Sequence, residues 1–128
     1  MIHEEICTYE VCKLATEKGF NVQTFDWYDY TGNYNKGFIP HKLHECPRYK
    51  EYYAPTQGLL QRWLREEKNI HIEIIATASG YYWCVNKTNG TSITDSDVLN
   101  RGTNEGGCWD EYEQALEDAF RYILENLI

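Results

Sequence analysis

The sequence predicts an α+β fold: a small antiparallel sheet, a hairpin or three-stranded meander, packed in two layers against helices at both ends of the chain. Three observations lead to it. The stretch "IHIEIIAT" at 70–77 alternates Ile70, Ile72 and Ile74 with His71 and Glu73, the period of a strand with one buried face. A turn signal at Ser79 and Gly80 leads into "YYWCVNK" at 81–87, and Asn89 with Gly90 signals a tight hairpin into a short third strand at 91–94. Near the end of the chain, Tyr112, Ala115, Leu116, Ala119, Phe120, Ile123, Leu124 and Leu127 recur at intervals of three and four, so one face of a helix must be buried.

The remaining elements follow in order. "TYEVCKLATEKGF" at 8–20 predicts a short helix with Thr8 as its cap, an apolar stripe of Val11, Leu14 and Ala15, and Gly19 in the left-handed conformation that ends it. Between 21 and 54 periodicity fails while Tyr, Asn, Gly and Pro accumulate, which predicts an irregular segment of the kind that carries function. "PTQGLLQRWLREEKN" at 55–69 predicts a helix starting at Pro55 or Thr56, with Leu59, Leu60, Trp63 and Leu64 on one face. Before the last helix, 95–107 is a polar loop, and Asp110 with Glu113 forms a pair of capping-box type.

At 128 residues the chain fits a single domain, 1–128, large enough to bury a core without staples. No apolar run approaches the roughly 20 residues that cross a bilayer, and the acidic start "MIHEEICTYE" is unlike a secretory signal. Five scattered cysteines, an odd number, do not space a disulfide framework, so reduced thiols in the cytoplasm are expected and no membrane partner is. A net charge of -8 repels phosphate backbones and disfavours nucleic acid as partner. The cations are gathered centrally, however, at Lys36, Lys42, Arg48, Lys50, Arg62, Arg65 and Lys68.

"EKGF" at Glu17 to Phe20, "APTQ" at Ala54 to Gln57, "WLRE" at Trp63 to Glu66 and "YEQAL" at Tyr112 to Leu116 together resemble a group of short proteins from Bacteroidetes genomes and their phages and prophages. The resemblance spans nearly the whole chain. It implies a phage or mobile-element setting and carries no activity with it.

Residue chemistry narrows the choice further. His41, His44 and Cys46 in "IPHKLHEC" could ligate zinc, with Cys84, Cys108 or His71 as a fourth ligand, yet the spacing matches no recurrent zinc knuckle. No metal site or cofactor is therefore assigned, and a small zinc-binding protein remains an alternative. Paired acid and base residues, a nucleophile beside a base, and a phosphate-cradling Gly-rich loop are all missing from the pattern, so no catalytic residue is nominated. What remains is an aromatic cluster, Trp27, Tyr28, Tyr30, Tyr34, Tyr49, Tyr52 and Tyr53, interleaved with cations including Arg48. Tyr, Trp and Arg carry much of the binding energy at interfaces. The expectation is a non-enzymatic protein that binds another protein through this segment. A nucleic-acid binder using the same residues is the runner-up, and filling a second layer of the core is the competing structural role.

Overall fold

The computed structural model describes residues 2–128. Its architecture is α+β, with three α-helices and two antiparallel three-stranded sheets. Contacts gather into two compact units that meet in the chain between Leu59 and Leu60. No helix among the described residues is long and apolar enough to cross a membrane.

The first unit opens on α1, Tyr9–Glu17. Thr8 accepts a hydrogen bond from the Val11 N–H at 3.4 Å, and Gly19, at φ +100°, ends the helix so that the Phe20 N–H reaches back to the Ala15 carbonyl at 2.9 Å. Val11, Cys12 and Ala15 are fully buried.

The expected irregular segment instead contains a second sheet. Its strands are β1 (Trp27–Tyr28), β2 (Tyr34–Asn35) and β3 (Tyr52–Tyr53), in the order β2-β1-β3. Strands of two residues are too short to display a period of two, which is why the pattern hides them. Register brings Tyr34, Tyr28 and Tyr52 into one row across the sheet, and α1 packs against β3. The Tyr9 ring lies edge-on to both Tyr28 and Tyr52, at 5.7 and 5.8 Å between centroids. The Tyr28 hydroxyl donates to the Cys7 carbonyl at 2.8 Å.

Next comes α2, Gln57–Lys68, begun by Thr56 Oγ1, which accepts from the Leu59 N–H at 3.1 Å. In the second unit its buried residues are Leu60, Trp63 and Leu64. Strands β4 (Ile70–Thr77), β5 (Gly80–Lys87) and β6 (Ser92–Asp95) form a meander in that order. The pairs Ile72–Val85 and Ile74–Trp83 put the apolar residues on one face, and the last helix, α3 (Tyr112–Asn126), packs on β4 and β5. Phe120, Ile123 and Leu124 are fully buried, each contributing about 2 kcal/mol of transfer free energy.

Two expectations for α3 fail. Its N-cap is Glu111, which makes no side-chain cap bond, while the Asp110 carboxylate accepts from the Asn104 amide at 3.0 Å instead. Tyr112, placed on the apolar stripe by its spacing, lies on the stripe's edge, exposed and edge-on to Tyr81.

Asn104 also orders the long loop before α3. Its amide donates to the Ser79 carbonyl at 2.8 Å, and its oxygen accepts from the N–H groups of Gly106 and Cys108 at 3.0 and 2.9 Å. From the same loop, Arg101 makes a two-pronged ion pair with Asp118 on α3, both contacts at 2.7 Å. Asp118 also accepts from the Trp83 indole N–H at 3.0 Å, and Arg101 lies over the Tyr122 ring. One carboxylate thus joins sheet, loop and helix.

Removing that carboxylate leaves a half-buried guanidinium and an indole N–H without their acceptor. Asp118→Ala should lower unfolding free energy by about 2 kcal/mol, between the exposed and buried limits for ion pairs. Asp118→Asn, which keeps one oxygen for Trp83, should lose less. Urea denaturation followed by circular dichroism measures both.

Candidate interaction surface

The segment 24–53 lacks a long hydrogen-bonded ladder, so side-chain oxygens hold its backbone. Asp26 accepts from the Gly37 N–H at 3.0 Å through one oxygen and from the Tyr34 hydroxyl through the other. Burial and the Asp26 carboxylate together push the Tyr34 phenol up to about 12. Asp29 gathers the β1–β2 turn by accepting from the N–H groups of Thr31 at 2.9 Å and Asn33 at 3.0 Å. The hydrogen bond from the Thr31 hydroxyl, then that from Asn33, hold its carboxyl below the usual range. Thr24 bonds to both Asp26 and Ala54, at 2.6 and 3.2 Å, stitching the start of the segment to its end.

Gly37 is required by proximity. A Cβ there would stand 2.0 Å from the Phe25 carbonyl oxygen, so only glycine lets the two stretches run side by side. That approach places Phe25 beside the loop tip that carries Phe38 and Ile39. These residues stay 52%, 86% and 73% exposed, respectively, and none was nominated from sequence.

The nominated aromatics divide into two groups. Tyr52, 7% exposed, and Tyr28 form the framework beside α1, and Tyr53 is half-buried on the edge strand. Trp27 is half-buried, stacked on the His41 ring with 3.6 Å between centroids and 1° between planes. Tyr30, Tyr34 and Tyr49 are exposed, with Tyr30 edge-on to Tyr49 at 5.1 Å. Arg48, also exposed, lies 5.6 Å over the Tyr49 ring, and Lys50 lies 5.6 Å from the Tyr52 centroid. Both separations fall within cation–π range.

The histidine-rich loop is organised by a carboxylate. Glu51 Oε1 is 3.0 Å from His41 Nε2 and accepts from the His44 backbone N–H at 2.8 Å, while His44 Nδ1 accepts from the Cys46 N–H at 3.1 Å. Among the described residues no group of three or more His, Cys, Asp and Glu is placed to hold a metal ion. None of the five cysteines forms a disulfide. In the second unit, Cys84 lines an open cleft of about 370 Å³ with Tyr82, Asp95 and Cys108. Burial, reinforced by Asp95 and Glu73, pushes the Cys84 thiol up, which keeps it protonated and poorly nucleophilic. No histidine lines that cleft.

Comparison with known proteins matches no family model, no curated protein and no solved structure.

Partial burial raises the Glu51 carboxyl, but the His41 and His44 hydrogen bonds outweigh it and leave the group below its ordinary value. Its stabilising contribution is therefore complete above the unfolded value of about 4.3 and is lost as pH falls through the lower folded value. Acid titration followed by the Trp27 and His41 side-chain NMR signals should show the loop releasing in that window. Glu51→Gln should abolish the step.

Proposed function

We propose that the protein is a non-enzymatic binding module whose partner is another protein, engaged through the outward side of residues 25–49. The resemblance to short Bacteroidetes and phage proteins supports placing it among mobile-element accessory proteins. The observation that carries the reading is the exposure of Phe25, Phe38 and Ile39 on a backbone fixed by Asp26, Thr24 and Gly37. Large apolar side chains held rigidly in water bind with little ordering cost, the condition under which a few aromatic anchors dominate an interface. Tyr30, Tyr49 and Arg48 extend the same chemistry towards a polar rim.

Electrostatics favour a protein over a nucleic acid. The chain carries 20 acidic against 12 basic side chains, and the Arg48 and Lys50 head groups already lie over tyrosine rings.

Affinity purification from the native host, with wild type beside Phe38→Asp and Ile39→Asp, tests the surface. Each variant should lose the wild-type partner by about tenfold or more, the loss of one well-packed anchor. Circular dichroism should be unchanged, because both side chains already face water. An unchanged partner set would remove the surface from consideration, and a partner released by nuclease would replace the protein-binding reading with a nucleic-acid one.

A further inference from the structure

Residues 38–40 form a short bridge between two fixed points of the first unit. At its start, the Gly37 N–H donates to Asp26 at 3.0 Å, and the Gly37 backbone lies directly against the Phe25 carbonyl. At its end, the His41 N–H donates to the Thr24 carbonyl and the Gln23 amide donates to the His41 carbonyl, both at 2.9 Å. The His41 ring is held in addition by the Trp27 stack and by Glu51. Between these anchors stand Phe38, Ile39 and Pro40, all exposed, with the Pro40 ring fixing its own φ. The bridge cannot fold inward without breaking an anchor.

We infer, resting on the protein-binding reading above, that the partner is a folded protein with an apolar pocket rimmed by carboxylates, which Phe38, Ile39 and Pro40 enter between Lys36 and Lys42. Shape supports the pocket. Phe38 is 86% exposed and Ile39 73% exposed, and side chains standing this far out lose their water only against a concave surface. A flexible peptide would have to be ordered around the bridge at the cost of its chain entropy, whereas a folded pocket is already shaped.

Charge supports the rim. Residues 21–54 hold four basic and four acidic side chains, so the net charge of -8 resides entirely outside them. Three of the four carboxylates, Asp26, Asp29 and Glu51, turn to donors of their own segment. Glu45, the remaining one, lies three residues beyond Lys42. Among the cations, Arg48 and Lys50 lie over tyrosine rings. Lys36 and Lys42 are exposed, form no ion pair among the described residues, and stand one residue outside each anchor. The apolar bridge is thus bracketed by two available ammonium groups, which an acidic rim complements. An anionic bilayer would also offer apolar depth beneath negative charge, but it meets a whole flank of an acidic chain. A pocket rim meets the bridge alone, and physiological salt screens charges beyond about 8 Å.

Photo-crosslinking tests the assignment. Phe38→p-benzoylphenylalanine in the full chain, irradiated in the native host, marks the residues it touches. The crosslink should map to a folded domain of another protein, at apolar residues with Asp or Glu beside them. With that protein purified, Lys36→Glu and Lys42→Glu together should slow association about tenfold and leave dissociation nearly unchanged, as rim charges do. Phe38→Asp should chiefly speed dissociation. Changing the marked Asp or Glu of the partner to Lys should restore the association rate of the doubly reversed variant. A crosslink to a site without acidic neighbours or to a second copy of this chain, or association indifferent to charge reversal and salt, would overturn the acidic pocket. No crosslink at all, or an unchanged affinity of Phe38→Asp for the partner, would remove the surface itself and the pocket with it. Sedimentation with vesicles of phosphatidylcholine and phosphatidylserine, abolished by Phe38→Asp, would replace the pocket by a membrane.

Discussion

Side-chain oxygens standing in for a missing backbone ladder are the constraint on which the first unit depends. A segment of some thirty residues with only three two-residue strands leaves most of its N–H groups without strand partners. Asp26, Asp29, Thr24 and Glu51 accept from Gly37, Thr31, Asn33, Ala54 and His44, closing each excursion back onto the chain. Asn104 does the same for the loop before α3, with four hydrogen bonds from one amide group. In both units, short polar side chains fix the irregular backbone, while helix–sheet packing supplies the apolar burial.

This arrangement separates two tasks that composition merges. Tyr28 and Tyr52 serve as structure, locked beside Tyr9 and the Cys7 carbonyl. Phe25, Phe38 and Ile39 contribute little to a core because they remain in water, and their outward placement depends on the Asp26–Gly37 contact beneath them. A surface of this kind is preorganised, so association need not order the loop first.

Much of the fold was legible in the sequence wherever a period persisted. The Ile70–Ile72–Ile74 alternation, the Gly90 turn and the 115–124 stripe all correspond to the elements they predict. Thr8 and Gly19 likewise mark the ends of α1. The β2-β1-β3 sheet was illegible because its pairing is set by turns and tertiary contacts, which leave no periodic trace in two-residue strands. Asp110 and Glu113 satisfied the local capping pattern, yet Asp110 bonds to Asn104, a partner six residues away that no helix motif encodes. The aromatic cluster was visible as composition, but only coordinates separate inward Tyr52 from outward Tyr49. Phe38 and Ile39 offered one faint signal: paired apolar residues inside a polar, turn-rich stretch.

The most direct test of this account is native-state amide hydrogen exchange across residues 24–54. If side-chain acceptors fix the segment, the N–H groups of Gly37, Asn33 and His44 exchange far more slowly than an open chain, and Asp26→Ala selectively releases Gly37. Open-chain exchange at all three positions, with α1 still protected, would contradict the claim that the exposed aromatics stand on a fixed backbone.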